Sequence, residues 1–140
     1  MMYLLDSNAC IVYLRNRPSL VRRKIEQLQT QDIVLCVIVL AELYEGAYRS
    51  KQQDENLNKI NSFIQPYSIL PFDTTTAVIA GQEGAKLAAR GLPIGPHDLQ
   101  IAAIALANDL TLVTHNTREF SRVAGLKLED WERDDTTPTS

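Results

Sequence analysis

Ile94-Gly95-Pro96-His97-Asp98-Leu99-Gln100-Ile101-Ala102-Ala103-Ile104-Ala105-Leu106-Ala107, leading to Leu110-Thr111-Leu112-Val113, decides the fold class. Pro96 suits a first helical position, because its missing N–H would have had no intrahelical partner there. Leu99 to Ala107 is apolar almost all round, which predicts a buried helix. A buried helix feeding a short apolar strand is the repeating unit of an α/β domain with a mainly parallel sheet. Asp98 sits at the mouth of that helix. Alone, it would do no more than complement the helix dipole, worth a few tenths to ~1 kcal/mol.

The same alternation recurs on both sides. Tyr3-Leu4-Leu5 reads as a first strand ending at Asp6-Ser7-Asn8, with Ser7 or Asn8 expected to cap a helix through Leu14. Ser19 caps a second helix, in which Val21, Ile25 and Leu28 recur at helical spacing. Ile33 to Cys36 is a second strand running into a helix through Ala47, with no polar cap between them. Asp54 is a candidate cap for a helix carrying Leu57, Ile60, Phe63 and Ile64, ended by Pro66. Tyr67 to Leu70 is a weak third strand. A helix from about Thr75 to Arg90, closed by Gly91, carries Ala77, Gly81, Gly84, Ala85 and Ala88 on one side, allowing a close helix contact. Leu126 to Leu128 reads as a last edge strand.

At 140 residues, with 45% apolar and 22% charged, the chain has the size and composition of one soluble globular domain. That domain is expected over residues 1–131, with a loose, charged, Pro/Thr-rich tail over 132–140. No run reaches the ~20 apolar residues of a membrane span and no signal-peptide pattern is visible, so a cytoplasmic location is the expectation. Cys10 and Cys36 are in no metal-type spacing and read as buried reduced thiols. A formal charge of −3 gives no global basic field. Contact with nucleic acid would have to use local patches, or cations bridging acids to phosphates.

Parallel sheets bind ligands beyond the carboxyl ends of their strands. Asp6 follows the first strand, Glu42 lies in the apolar helix after the second, Asp98 opens the buried helix, and Asn116 follows the fourth strand. Crowded carboxylates repel unless a cation joins them, and a hard divalent ion such as Mg²⁺ or Mn²⁺ suits oxygen ligands. Such ions bind phosphates and activate water, which points to hydrolysis of phosphodiesters.

Leu5-Asp6-Ser7-Asn8, Ala41-Glu42-Leu43-Tyr44-Glu45-Gly46-Ala47, Pro96-His97-Asp98-Leu99-Gln100-Ile101-Ala102-Ala103 and Val113-Thr114-His115-Asn116-Thr117-Arg118-Glu119-Phe120 together resemble PIN-domain ribonucleases. More narrowly, the chain resembles the VapC-type toxins of bacterial toxin–antitoxin pairs over about residues 2–131. The resemblance implies a PIN-like three-layer α/β sandwich and a Mg²⁺-dependent endoribonuclease, with Mn²⁺ able to substitute. It also implies an acidic metal site of Asp6, Glu42 and Asp98, with Asn116 in the place of a further polar residue that is often Asp. Ser7 or Thr114 would position a water or a phosphate. A homodimer and a small antitoxin covering the acidic cleft are the implied partners. Two departures stand out: Val37 replaces a capping Ser or Thr, and Asn116 removes a charge, which favours one bound metal ion over two.

Other polar residues carry two readings each. His97 is a helix-start residue near the cleft and a candidate substrate contact; an HD-type metal site would need more histidines than His115 supplies. Glu45 is either solvated or an outer partner of Glu42, and Glu119 either rims the site or caps a helix. Arg118 is a candidate phosphate contact, while Arg15, Arg17, Arg22, Arg23 and Lys24 make either an RNA-binding face or a solvated one. Leu57, Ile60, Phe63 and Ile64 suit either an interface or the core. The rival functions are an Asp-nucleophile phosphatase or phosphotransferase, which expects Asp where Asn8 stands, and a Mg²⁺-binding receiver-like domain. The receiver needs a phosphoacceptor Asp after a central strand and a Lys after the last.

Overall fold

A computed structural model of the chain describes residues 2–133. The strands are β1 (Tyr3–Leu5), β2 (Ile33–Cys36), β3 (Ser68–Leu70), β4 (Thr111–Val113) and β5 (Lys127–Glu129). All pair in parallel, in the order β3-β2-β1-β4-β5. Parallel neighbours require crossovers, and helices supply them. These are α1 (Ser7–Leu14), α2 (Leu20–Gln27), α3 (Val37–Arg49), α4 (Gln53–Ile64), α5 (Thr74–Ala89), α6 (Pro96–Ala107) and the single turn α7 (Thr117–Phe120).

The strand order reverses at β1: β2 and β3 extend one way from it, β4 and β5 the other. That switch point leaves a crevice beyond the carboxyl ends of β1 and β4. Leu4, Leu5, Leu35, Cys36 and Leu112 are fully buried along the central strands, as continuous apolar runs covered on both faces must be. The predicted buried helix is α6, where Ile101 through Ala105 are all buried. Gly84 of α5 gives the close approach read from the small residues: a Cβ there would lie 2.9 Å from Leu99 Cδ2. Ala77, Gly81, Ala85 and Ala88 instead face outward.

Several local expectations change. Asp6, not Ser7 or Asn8, caps α1, because the chain is still extended at Asp6 and already helical at Ser7. Asp54 lies inside the first turn of α4 rather than at its cap, which is Gln52. Asp73 caps α5, accepting from Thr76 N at 2.9 Å. Ile60 and Phe63 are buried, and Phe63 packs against the rings of Tyr13 and Tyr67, so this stripe belongs to the core. Cys10 and Cys36 are buried free thiols. Trp131 is buried edge-on against Tyr3, with ring centroids 5.1 Å apart. Beyond Arg133, the expected loose tail lies outside the described residues. No helix among the described residues is long and apolar enough to cross a membrane.

Candidate active site

β1 delivers Asp6 directly from the strand into the α1 cap, where its Oδ1 accepts from Ala9 N at 2.8 Å. Because β1 is the central strand, Asp6 is only 6% exposed. Burial pushes its carboxyl above the ordinary range, and the charges of Glu132 and Glu42 add to this. Hydrogen bonds from the Thr114 hydroxyl and Ala9 N–H pull the other way. Thr114 is buried beside Asp6, and its hydroxyl oxygen also accepts from Asn116 N at 3.0 Å.

Ser7, the first residue of α1, donates its hydroxyl to Glu42 Oε1 at 2.8 Å across 35 residues of sequence. The bond ties α1 to α3 and aims Glu42 toward the end of β1. The Ser7 hydroxyl thus spends its proton on a carboxylate, and its oxygen keeps lone pairs that can accept from a water.

Asp98 occupies the first turn of α6, and Glu119 approaches it from α7. Glu119 Oε1 accepts from Gly95 N at 3.0 Å, and its Oε2 accepts from Asn116 Nδ2 at 3.1 Å. These donors hold the Glu119 carboxyl below its ordinary range. Asp98 moves the opposite way, up to about 6, through burial first and then the charges of Glu119, Glu42 and Asp6. The pairing of the two side chains works in opposite directions, raising the Asp98 carboxyl and lowering that of Glu119. Glu119, left between a rim and a cap by the sequence, is the acid that acts most strongly on Asp98. Asn116, read as the fourth site position, bonds it from the side.

The structure thus brings Asp6, Glu42 and Asp98 into electrostatic contact and adds Glu119. His97 and Arg118 are exposed on α6 and α7. His115 turns away to the C-terminal segment, where its Nδ1 lies 3.0 Å from Asp130 Oδ2 and 3.6 Å from Glu132 Oε2. Among the described residues, His115, Asp130 and Glu132 are the trio whose ligand-type atoms all fall within 4.8 Å of one another. The acids around Asp98 are spaced more widely. Hard oxygen donors with room between them suit Mg²⁺, which keeps several of its waters. The raised carboxyls of Asp6 and Asp98 are the penalty that a cation would relieve.

This arrangement, with acids gathered at the switch point of a five-stranded parallel sheet, matches a known class. Residues 3–126 match the PIN domain family, and the chain belongs to it. Within that family it is similar to the tRNA(fMet)-specific endonuclease VapC of Salmonella typhimurium, with 39% identity over 129 residues covering 92% of this chain and 97% of the relative. Ribonuclease VapC2 of Rickettsia felis is 36% identical over 134 residues, covering 95% of this chain and 100% of that one. Among solved structures, VapBC2 from Rickettsia felis bound to a DNA fragment from their promoter contains a chain with a TM-score of 0.87 and 36% identity, covering 94% of this chain and 99% of that one.

Proposed function

We propose that this chain is a Mg²⁺-dependent endoribonuclease acting as the toxin of a toxin–antitoxin pair. The observation that carries the reading is the convergence of four acids at the strand ends: buried Asp6 feels the charge of Glu42, and half-buried Asp98 feels those of Glu119, Glu42 and Asp6. Asp6, Glu42 and Asp98 are the residues that would hold the ion, with Glu119 as a further acid beside Asp98. When bound, Mg²⁺ supplies charge neutralisation at the phosphodiester and lowers the pKa of a water.

The protein's own part is positioning. Thr114 and Ala9 fix Asp6, Ser7 fixes Glu42, and Gly95 with Asn116 fixes Glu119. Each carboxylate is thereby oriented before a substrate arrives, so little reorganisation is left for the reaction. Glu119, held ionised beside Asp98, adds a fixed negative charge to the site. His97 and Arg118, exposed on the rim, are suited to touch the RNA. Mn²⁺ is expected to substitute, having the same preference for oxygen ligands.

A small cognate antitoxin would inhibit by covering the acidic cleft, and the toxin would act as a homodimer. The VapBC assembly similar to this chain supports such a partner. The domain is taken to span residues 1–131.

Incubating the purified protein with structured RNAs, with and without Mg²⁺, beside the Asp6→Asn and Asp98→Asn variants, tests the activity. Metal-dependent cleavage lost in both variants is expected. Equal cleavage by wild type and variants would identify a contaminating nuclease and sink the site assignment.

A further inference from the structure

The acidic centre opens at Glu42 into a groove between α1, α3 and α4, which Arg15 and Lys59 also line. The groove does not end there. Leu14 and Lys59 line a second depression as well, and that one shares Asn16 and Arg22 with a third, where Arg17 and Arg23 lie. The adjoining depressions make one path from Glu42, past the end of α1, over the α1–α2 turn and onto α2.

Along this path the sign of the charge inverts. The chain as a whole is −3, yet residues 15–24 hold Arg15, Arg17, Arg22, Arg23 and Lys24 and no acid. These cations are not equivalent. Arg22 is committed to the fold: it donates to Tyr13 O at 2.8 Å, lies 4.4 Å from the Tyr13 ring centroid and pairs with Glu26 at 3.0 Å. Lys59 pairs with Glu55 at 3.5 Å. The acids lining the path beyond Glu42 are thus already engaged. Arg15, Arg17 and Arg23 are exposed, and their guanidinium groups have no hydrogen-bond or ion-pair partner among the described residues. The turn that presents them is held in shape. Asn16 adopts a left-handed conformation (φ 56°), and Ser19 Oγ accepts from Arg22 N at 3.0 Å to start α2.

We propose that this path receives the phosphodiester backbone of the RNA substrate where it leaves the acidic centre, with Arg15, Arg17 and Arg23 as its phosphate contacts. The proposal rests on the ribonuclease reading above. A guanidinium offers paired N–H donors that match two phosphate oxygens, and leaving it unpaired on a surface keeps it available for them. Length points to a chain rather than a single anion. The α1 helix alone spans about 12 Å at ~1.5 Å per residue, so Asp6 and Arg15 are too far apart for one phosphate to bridge. A like-charged strand also needs such a corridor, because the acids that would cut it repel its phosphates.

The test measures binding without cleavage, so its outcome is independent of the nuclease assay. The full chain in EDTA is titrated with a short RNA hairpin carrying single-stranded flanks, over about 50 to about 200 mM salt. The triple variant Arg15→Gln, Arg17→Gln, Arg23→Gln is expected to bind roughly tenfold more weakly, with a log–log salt slope shallower by about 2, at ~0.7 per lost single-strand contact. The single Arg17→Gln variant is expected to lose about a third of that slope. The triple variant Lys51→Gln, Lys86→Gln, Lys127→Gln, at residues off the path, controls for net charge and is expected to bind as wild type. Unchanged RNA affinity in the arginine variants overturns the proposal and leaves the face to an acidic protein segment. Equal weakening in the lysine control overturns it as a mere charge effect.

Discussion

Asn116 Nδ2 donates to Glu119 Oε2 at 3.1 Å, so the amide that follows β4 holds the acid that faces Asp98. The neutral amide matters because a carboxylate there would meet another carboxylate at hydrogen-bond distance. Asn116→Asp is expected to melt below both wild type and Asn116→Ala in EDTA at about pH 7.5, since like charges at that range repel. The deficit should shrink as the pH falls through the carboxyl range. Thermal melts across pH check this; a pH-independent deficit would mean that the new side chain disturbs packing instead.

Asp98 gives a pH dependence of definite sign. Its carboxyl titrates at about 6 in the fold and has an ordinary value of 3.8. The folded state therefore binds the extra proton between those values. The contribution of Asp98 to stability is intact below the ordinary value and is lost as pH rises through about 6. In EDTA, Asp98→Asn should melt no lower than wild type at about pH 7.5, and above it by a few degrees, with the gap closing by about pH 4. A large drop in the variant would mean that the carboxylate serves α6 chiefly as a dipole partner.

Divalent ions should reverse that order. Ligand binding to the native state alone raises its stability by RT ln(1 + [L]/Kd). Adding Mg²⁺ is expected to raise the melting temperature of wild type by several degrees and that of Asp98→Asn by much less. Chelation should restore the first ranking. An equal response in both proteins would remove Asp98 from the ion's ligands.

The Ser7 hydroxyl, donating to Glu42 Oε1 at 2.8 Å, predicts a positioning effect. Ser7→Ala should lower RNA cleavage roughly tenfold and raise the Mg²⁺ concentration needed for half-maximal rate several-fold, as loss of a partner that orients a metal ligand does. Ser7→Thr, which keeps the hydroxyl, should recover most of both. An unchanged metal requirement in Ser7→Ala would make the bond purely structural.

Trp131 marks where the folded part must still be present. It is 3% exposed, packs on Tyr3 and donates Nε1–H to Glu129 at 3.0 Å. Trp131→Ala should lose about 3–5 kcal/mol, the range for removing a buried Trp side chain, whereas Trp131→Phe, which keeps a ring against Tyr3, should lose less. Denaturant titrations of the two variants check this; equal losses would mean that the indole N–H bond to Glu129, not the ring packing, carries the effect.

The pattern of the chain is enough to read the α/β class, the strands and the buried helix, and to single out three acids for a site. These are local signals: apolar runs of strand length, helical spacing, and carboxylates such as Asp6, Glu42 and Asp98 interrupting apolar stretches. Pairing partners are not local. Glu119 reads as a rim residue or a cap in sequence because its donors are Gly95, 24 residues away, and the side chain of Asn116, an orientation that sequence alone does not specify. Likewise, the arginines between Arg15 and Arg23 look alike in sequence, and only the contacts of Arg22 with Tyr13 and Glu26 separate a structural guanidinium from the exposed ones of Arg15, Arg17 and Arg23.

Composition and periodicity therefore determined which residues are buried, since burial follows from how apolar side chains repeat along a helix or strand. The tertiary structure decided which polar atoms meet. A hydrogen bond such as that between Ser7 and Glu42, or a repulsion such as that between Asp98 and Glu119, depends on a few ångströms between segments far apart in sequence. Those distances are set by the strand order β3-β2-β1-β4-β5, which places the ends of β1 and β4 side by side.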